Sequence, residues 1–105
     1  MEENKIQEMQ FLEQTLQNIL YQKQAFQMEI SETASALEEI GKSKEDVYKV
    51  IGQIMIKVSK EDVKKELKEK QKVLDMKLKS LEEQEKTFSE KANKLREEIL
   101  GKLKK

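Results

Sequence analysis

Charged side chains are the chemistry this chain has most of. Lysine and arginine number 21, aspartate and glutamate another 21, and together they make up 40% of the 105 residues. Carboxylates and amines do acid–base work only where burial or a close neighbour moves their pKa toward the working pH. Here they recur along thin amphipathic stretches that leave them in water, where no such shift arises. The sequence has no histidine and no cysteine. That removes the commonest general base, the commonest metal ligand and every thiolate. No Ser-His-Asp set, glycine-rich phosphate loop or metal-ligand spacing occurs. The chain reads as a non-enzyme with no catalytic residues, no metal site and no cofactor.

Its length suits one domain. The apolar set is 36% of residues, too little for a thick core and enough for a long thin seam. Net charge is zero but unevenly spread. Residues 1–41 hold two lysines against eight glutamates, a charge of −6. Residues 42–105 hold 19 lysines and arginines against 13 acids, a charge of +6. Two such halves attract when they lie side by side. Their fields largely cancel, which argues against a nucleic-acid or membrane-surface partner. No run approaches the roughly 18 apolar residues of a membrane span. The opening MEENKIQEMQ is charged and polar, so it does not read as a signal peptide. The absence of cysteine suits a reducing cytoplasm, the expected location.

The elements follow from periodicity. In the first half the seam positions are Met9, Leu12, Leu16, Ile19, Lys23, Phe26, Ile30, Thr33, Leu37 and Ile40. Their spacing alternates three and four, the a/d pattern of a coiled coil, and only Lys23 and Thr33 are polar. In the second half Leu67, Leu74, Leu81, Phe88 and Leu95 stand seven apart, interleaved with Gln71, Leu78, Glu85, Ala92 and Ile99. There is no proline to break either helix. Gly41 is expected as the C-cap of the first helix. Ser59, with Asp62 three residues on, is expected to start the second.

Between them lies VYKVIGQIMIKV, residues 47–58, rich in β-branched residues. Val47–Ile51 and Ile54–Val58 read as strands, and Gly52-Gln53 as a two-residue type II′ turn. The organisation is an N-terminal helix over 1–41, a turn and β-hairpin over 42–58, and a C-terminal helix over 59–105. The fold class is mostly α, an antiparallel two-helix coiled coil joined by one β-hairpin. Under one register opposed core positions add to 104, with a shift of one turn as the alternative. Thr33 then shares a layer with Gln71. Lys23 and Glu85 fall in adjacent layers and pair across the seam, either setting register or loosening the half of the coil that holds the termini.

Helix, hairpin, helix, with VYKVIGQIMIKV followed by SKEDVKKELKEK, resembles the β-type subunit of prefoldin over nearly the whole chain. The 17 residues from 42 to 58 leave room for one hairpin, as in the β type, where the α type has two. The resemblance implies an ATP-independent chaperone subunit. It implies a hexamer of two α-type and four β-type chains whose hairpins join in an intersubunit β-barrel. It further implies capture of unfolded client proteins at coiled-coil tips and delivery to a group II chaperonin.

On that basis Val47, Tyr48, Val50, Ile51, Gly52, Ile54, Ile56 and Val58 form the assembly hairpin. An unpaired apolar hairpin invites other chains on physical grounds as well. Ile6, Met9, Phe11, Leu12, Ile99, Leu100 and Leu103 form the client-binding tip. Lys102, Lys104 and Lys105 are the chaperonin contact. The competing reading is a structural coiled-coil scaffold with no chaperone activity.

Overall fold

The computed structural model describes the backbone of residues 2–103 and the side chains of residues 3–101. Its elements are α1 (Glu2–Lys42), β1 (Val47–Ile51), β2 (Ile54–Val58) and α2 (Lys60–Leu103). Two long helices thus flank one antiparallel two-stranded hairpin. At about 1.5 Å per residue, α1 and α2 run about 60 and 66 Å.

All twenty seam positions expected from the heptads are buried or half-buried. The helices run antiparallel, because early residues of α1 meet late residues of α2. Lys5 Nζ lies 3.3 Å from Glu98 Oε2, and Lys23 Nζ lies 3.0 Å from Glu85 Oε1.

The chain forms two compact units. Unit 1 joins Met1–Ala25 with Leu78–Lys105, and unit 2 is Phe26–Lys77. In unit 1 a buried cluster of Leu12, Ala92 and Leu95 packs against half-buried Met9, Leu16, Phe88 and Ile99. It contains the three opposed pairs that the 104 spacing places together: Met9 with Leu95, Leu12 with Ala92, and Leu16 with Phe88. Ile19 and Leu81 are buried in the same unit. In unit 2 the seam buries Leu74 and Thr33. Thr33 needs no partner across it, because its Oγ1 donates 2.7 Å to the Glu29 carbonyl one turn earlier.

The helix ends correct one expectation. Gly41 does not cap α1: it is an interior helical residue, and Gly52 is the only residue with positive φ among those described. The helix runs on to Lys42 because the Ser43 amide still reaches the Glu39 carbonyl at 3.0 Å. The Lys42 ammonium also binds Glu38 at 2.9 Å and faces the negative end of the helix. Ser59 flanks α2 as expected: its carbonyl accepts the Val63 amide at 3.1 Å, and Glu61 and Asp62 occupy the first turn.

The linker is held locally. The Glu45 amide donates to Ser43 Oγ at 3.2 Å, and Lys60 Nζ donates to the Ser43 carbonyl at 2.6 Å. The hairpin register pairs Val47 with Val58 and closes at Ile51 and Ile54. Gly52 has φ of 61° and Gln53 is not positive, so the turn is type II′ rather than I′.

Two outcomes are expected from this packing. Leu81→Ala should lower unfolding stability by about 2–4 kcal/mol in urea titrations, whereas Met76→Ala, on the solvent side, should change it by less than about 0.5 kcal/mol. Gly52→Ala meets no neighbouring atom. It should therefore cost only the left-handed backbone penalty, about 1–2 kcal/mol.

Candidate functional site

The abundant charges do not converge on a site. Among the described residues no group of three or more aspartates or glutamates is gathered as a metal ion would need. No described helix is long and apolar enough to cross a membrane. What the structure does present is uncovered apolar surface, grouped at the hairpin in unit 2 and beside the end of the seam in unit 1, with Met28, Val73 and Met76 exposed elsewhere on the helices of unit 2.

In unit 2 the surface is the hairpin. Alternation puts Val47, Lys49, Ile51, Ile54, Ile56 and Val58 on one face and Tyr48, Val50, Met55 and Lys57 on the other. The first face leans on α2, where Lys49 Nζ reaches Glu66 Oε2 at 3.5 Å; Val47 and Val58, at the base, are half-buried. The second face has no cover. Val50 and Met55 stand directly opposite each other, 64% and 67% exposed, beside exposed Tyr48. Its one cation, Lys57, is paired with Asp46 at 3.3 Å. Ile51, Ile54 and Ile56 are exposed too. The outer edges of β1 and β2 carry no strand among the described residues. A pair of strands with bare edges and exposed apolar side chains on both faces is marginal alone and is stabilised by further strands or a packed helix.

Every apolar residue of this patch except Met55 is among those expected from the sequence. A signal for Met55 exists there too: a two-residue turn at Gly52-Gln53 sets position 55 opposite position 50.

In unit 1 the surface flanks the end of the seam. Ile6, Phe11 and Leu100 are 48%, 66% and 49% exposed. Met9 and Ile99 are half-buried against the core cluster. Leu12 differs from the rest: at 5% exposure it belongs to the core, so in this conformation it presents no surface. The reason is heptad phase, since Leu12 is a seam residue while Ile6, Phe11 and Leu100 stand off the seam. Leu20 and Tyr21 are further exposed apolar side chains of unit 1, beyond those expected from the sequence. Charges ring this surface, with Lys5 bridged to Glu98 and Lys91 Nζ 5.6 Å from the centre of the Phe88 ring. Lys102 and Leu103 lie in the last turn of α2 with side chains outside the described residues, and Lys104 and Lys105 lie outside them altogether.

The comparisons with known proteins agree with this geometry. A family model described as prefoldin subunit matches residues 3–105. The chain is 42% identical over 89 residues to prefoldin subunit beta of Thermococcus onnurineus, covering 83% of this chain and 77% of that one. It is 39% identical over 89 residues to prefoldin subunit beta of Pyrococcus furiosus, covering 83% and 76%. The crystal structure of the prefoldin beta subunit from Thermococcus strain KS-1 superposes with a TM-score of 0.90 at 34% identity, covering 99% of this chain and 93% of that one. A match across almost the whole length, helices and single hairpin together, places the chain in the prefoldin family of chaperone subunits.

Proposed function

We propose that this chain is a β-type subunit of an ATP-independent chaperone that holds non-native proteins and passes them to a group II chaperonin. The single observation that carries the reading is the hairpin, whose apolar side chains are exposed on both faces although it lies in a folded chain. Burying Tyr48, Val50, Ile51, Ile54, Met55 and Ile56 against other chains would supply what two strands lack alone, at about 25 cal/mol per Å² of apolar area. The partners that suit it are other hairpins: further copies of this chain and an α-type subunit, in a hexamer of two α and four β. Edge pairing supplies the hydrogen bonds, and the Val50–Met55 face supplies the apolar contact.

Client capture belongs to unit 1. Ile6, Met9, Phe11, Ile99, Leu100 and Leu103 offer apolar contacts with no directional chemistry, which suits clients that share only exposed apolar segments. Each contact is weak, and several copies in one particle raise avidity. Lys102, Lys104 and Lys105 are the proposed chaperonin contact, and the cytoplasm the proposed location. A scaffold without chaperone activity would use the same hairpin and leave the unit 1 surface idle.

Two measurements separate these readings. Mixed with its α-type partner, the chain should give a particle of hexamer mass by light scattering, and Val50→Glu with Met55→Glu should dissociate it. The assembled particle should suppress aggregation of dithiothreitol-reduced insulin. Ile6→Ser, Phe11→Ser and Leu100→Ser together should weaken that suppression about tenfold, equivalent to roughly 1.4 kcal/mol, at unchanged mass. A particle that never suppresses aggregation would establish the scaffold reading instead.

A further inference from the structure

We propose that the outer face of α1 in unit 1 is a binding site of its own: an uncharged stripe from Phe11 to Ala25 on which an extended segment of a non-native protein lies lengthwise, so that holding does not depend on the sign of the client's charge. The proposal rests on client capture by unit 1 and adds to it a surface on the opposite side of α1 from the seam.

The chain is 40% charged, yet this face carries almost no charge. Among residues 14–25 only Lys23 is charged, and it lies in the seam bound to Glu85. Two positions on from the seam residues Met9, Leu12, Leu16, Ile19 and Lys23 stand Phe11, Gln14, Asn18, Tyr21 and Ala25, all exposed. Two positions are about 200° around a helix, so this row faces away from α2. Phe11 and Tyr21 are 66% and 60% exposed. Leu20, 39% exposed, stands beside the row in a shallow groove that it lines with Leu16, Gln17, Glu13 and Glu85. The outer side of α2 in the same unit is different: Glu82, Glu83, Lys86, Glu90, Lys91 and Lys94 are exposed along it.

That contrast decides where a polypeptide can lie. Against α2 it would strip water from charges it does not pair, which is costly for either sign of client. Against the α1 stripe no charge has to be desolvated. The two rings and Leu20 take apolar side chains. The carboxamides of Gln14, Gln17 and Asn18 both donate and accept hydrogen bonds, as the backbone of an unfolded segment requires. At about 1.5 Å per residue the stripe is about 21 Å long, the reach of about six residues of extended chain at about 3.3 Å each. Phe11 belongs both to the stripe and to the surface beside the end of the seam, so a client held there continues onto α1. A second copy of this chain suits the stripe less well, because its own α2 would bring charges to be buried.

The test uses the full chain assembled with its α-type partner and two reduced probes, acidic α-lactalbumin and basic lysozyme. The parent particle should suppress aggregation of both to within about twofold. Gln14→Glu with Asn18→Glu should weaken holding of α-lactalbumin about threefold and strengthen that of lysozyme, and Gln14→Lys with Asn18→Lys should do the reverse. Glutamate and lysine are good helix formers at exposed positions, so particle mass should not change. Leu20→Ser with Tyr21→Ser should weaken holding of both probes alike, by about threefold at unchanged mass.

Charge variants that hold both probes as the parent does overturn the proposal, as does a parent that already prefers one probe more than about tenfold. A parent particle of twice the hexamer mass that reverts to hexamer in the charge variants also overturns it, and makes the stripe a contact between copies. If the triple serine variant loses holding while the charge variants and the Leu20 and Tyr21 variant keep the parent's behaviour, capture by unit 1 stands and the stripe is not its surface. If none of these variants changes holding, capture by unit 1 falls as well.

Discussion

Each unit of this molecule depends on the apolar seam between its own two helical segments. The buried apolar residues described in unit 1 are Leu12, Ile19, Leu81, Ala92 and Leu95, all at seam positions. Among the described residues no large side chain is completely enclosed, because a two-helix coil has only one contact surface and water on every other side. Each layer therefore contributes separately, at about 1.5–3 kcal/mol for a buried leucine or phenylalanine, and no thick core backs up a weak one.

The same thinness explains the hairpin. With the apolar residues of α1 and α2 committed to each other, little is left to cover β1 and β2. One face reaches α2 through the Lys49–Glu66 bridge, with Val47 and Val58 half-buried at its base, and the other stays bare. The two uncovered surfaces differ in kind. The hairpin offers strand edges with a regular register, which favours specific partners of matching geometry. The unit 1 surface offers scattered side chains with no backbone donors free, since helical amides beyond the first turn are spent within the helix. Such a surface discriminates poorly, which suits the proposed capture of many unfolded chains.

Much of this is legible in the order of residues alone. Periods of seven and two have direct geometric meaning, so the seam positions, both strands and the type II′ turn follow from spacing. Gly41 breaks the expectation because glycine after a final apolar position usually marks a cap, while here Lys42 and the Ser43 amide carry the helix one residue further. Met55 escapes notice in the sequence because its importance comes from the residue across the strand pair, Val50, rather than from its chain neighbours. Leu12 stands in the sequence both as a seam position and as a residue of the tip, and its heptad phase decides for the core.

By itself the sequence determined the element order, the identity of the buried stripe on each helix and the turn type. These depend on local backbone preferences and on periodicity, which short windows contain in full. Only the tertiary structure decided which apolar residues remain uncovered. Exposure depends on what else the chain brings against a side chain: Leu12 and Phe11 are neighbours in sequence, yet one is core and the other 66% exposed. The structure also shows that Thr33 bonds its own helix and that Lys23 and Glu85 meet at 3.0 Å. The first is a local bond to a carbonyl one turn away, available to a threonine in any helix, whereas the second joins residues 62 apart and is settled by how two helices come together in space.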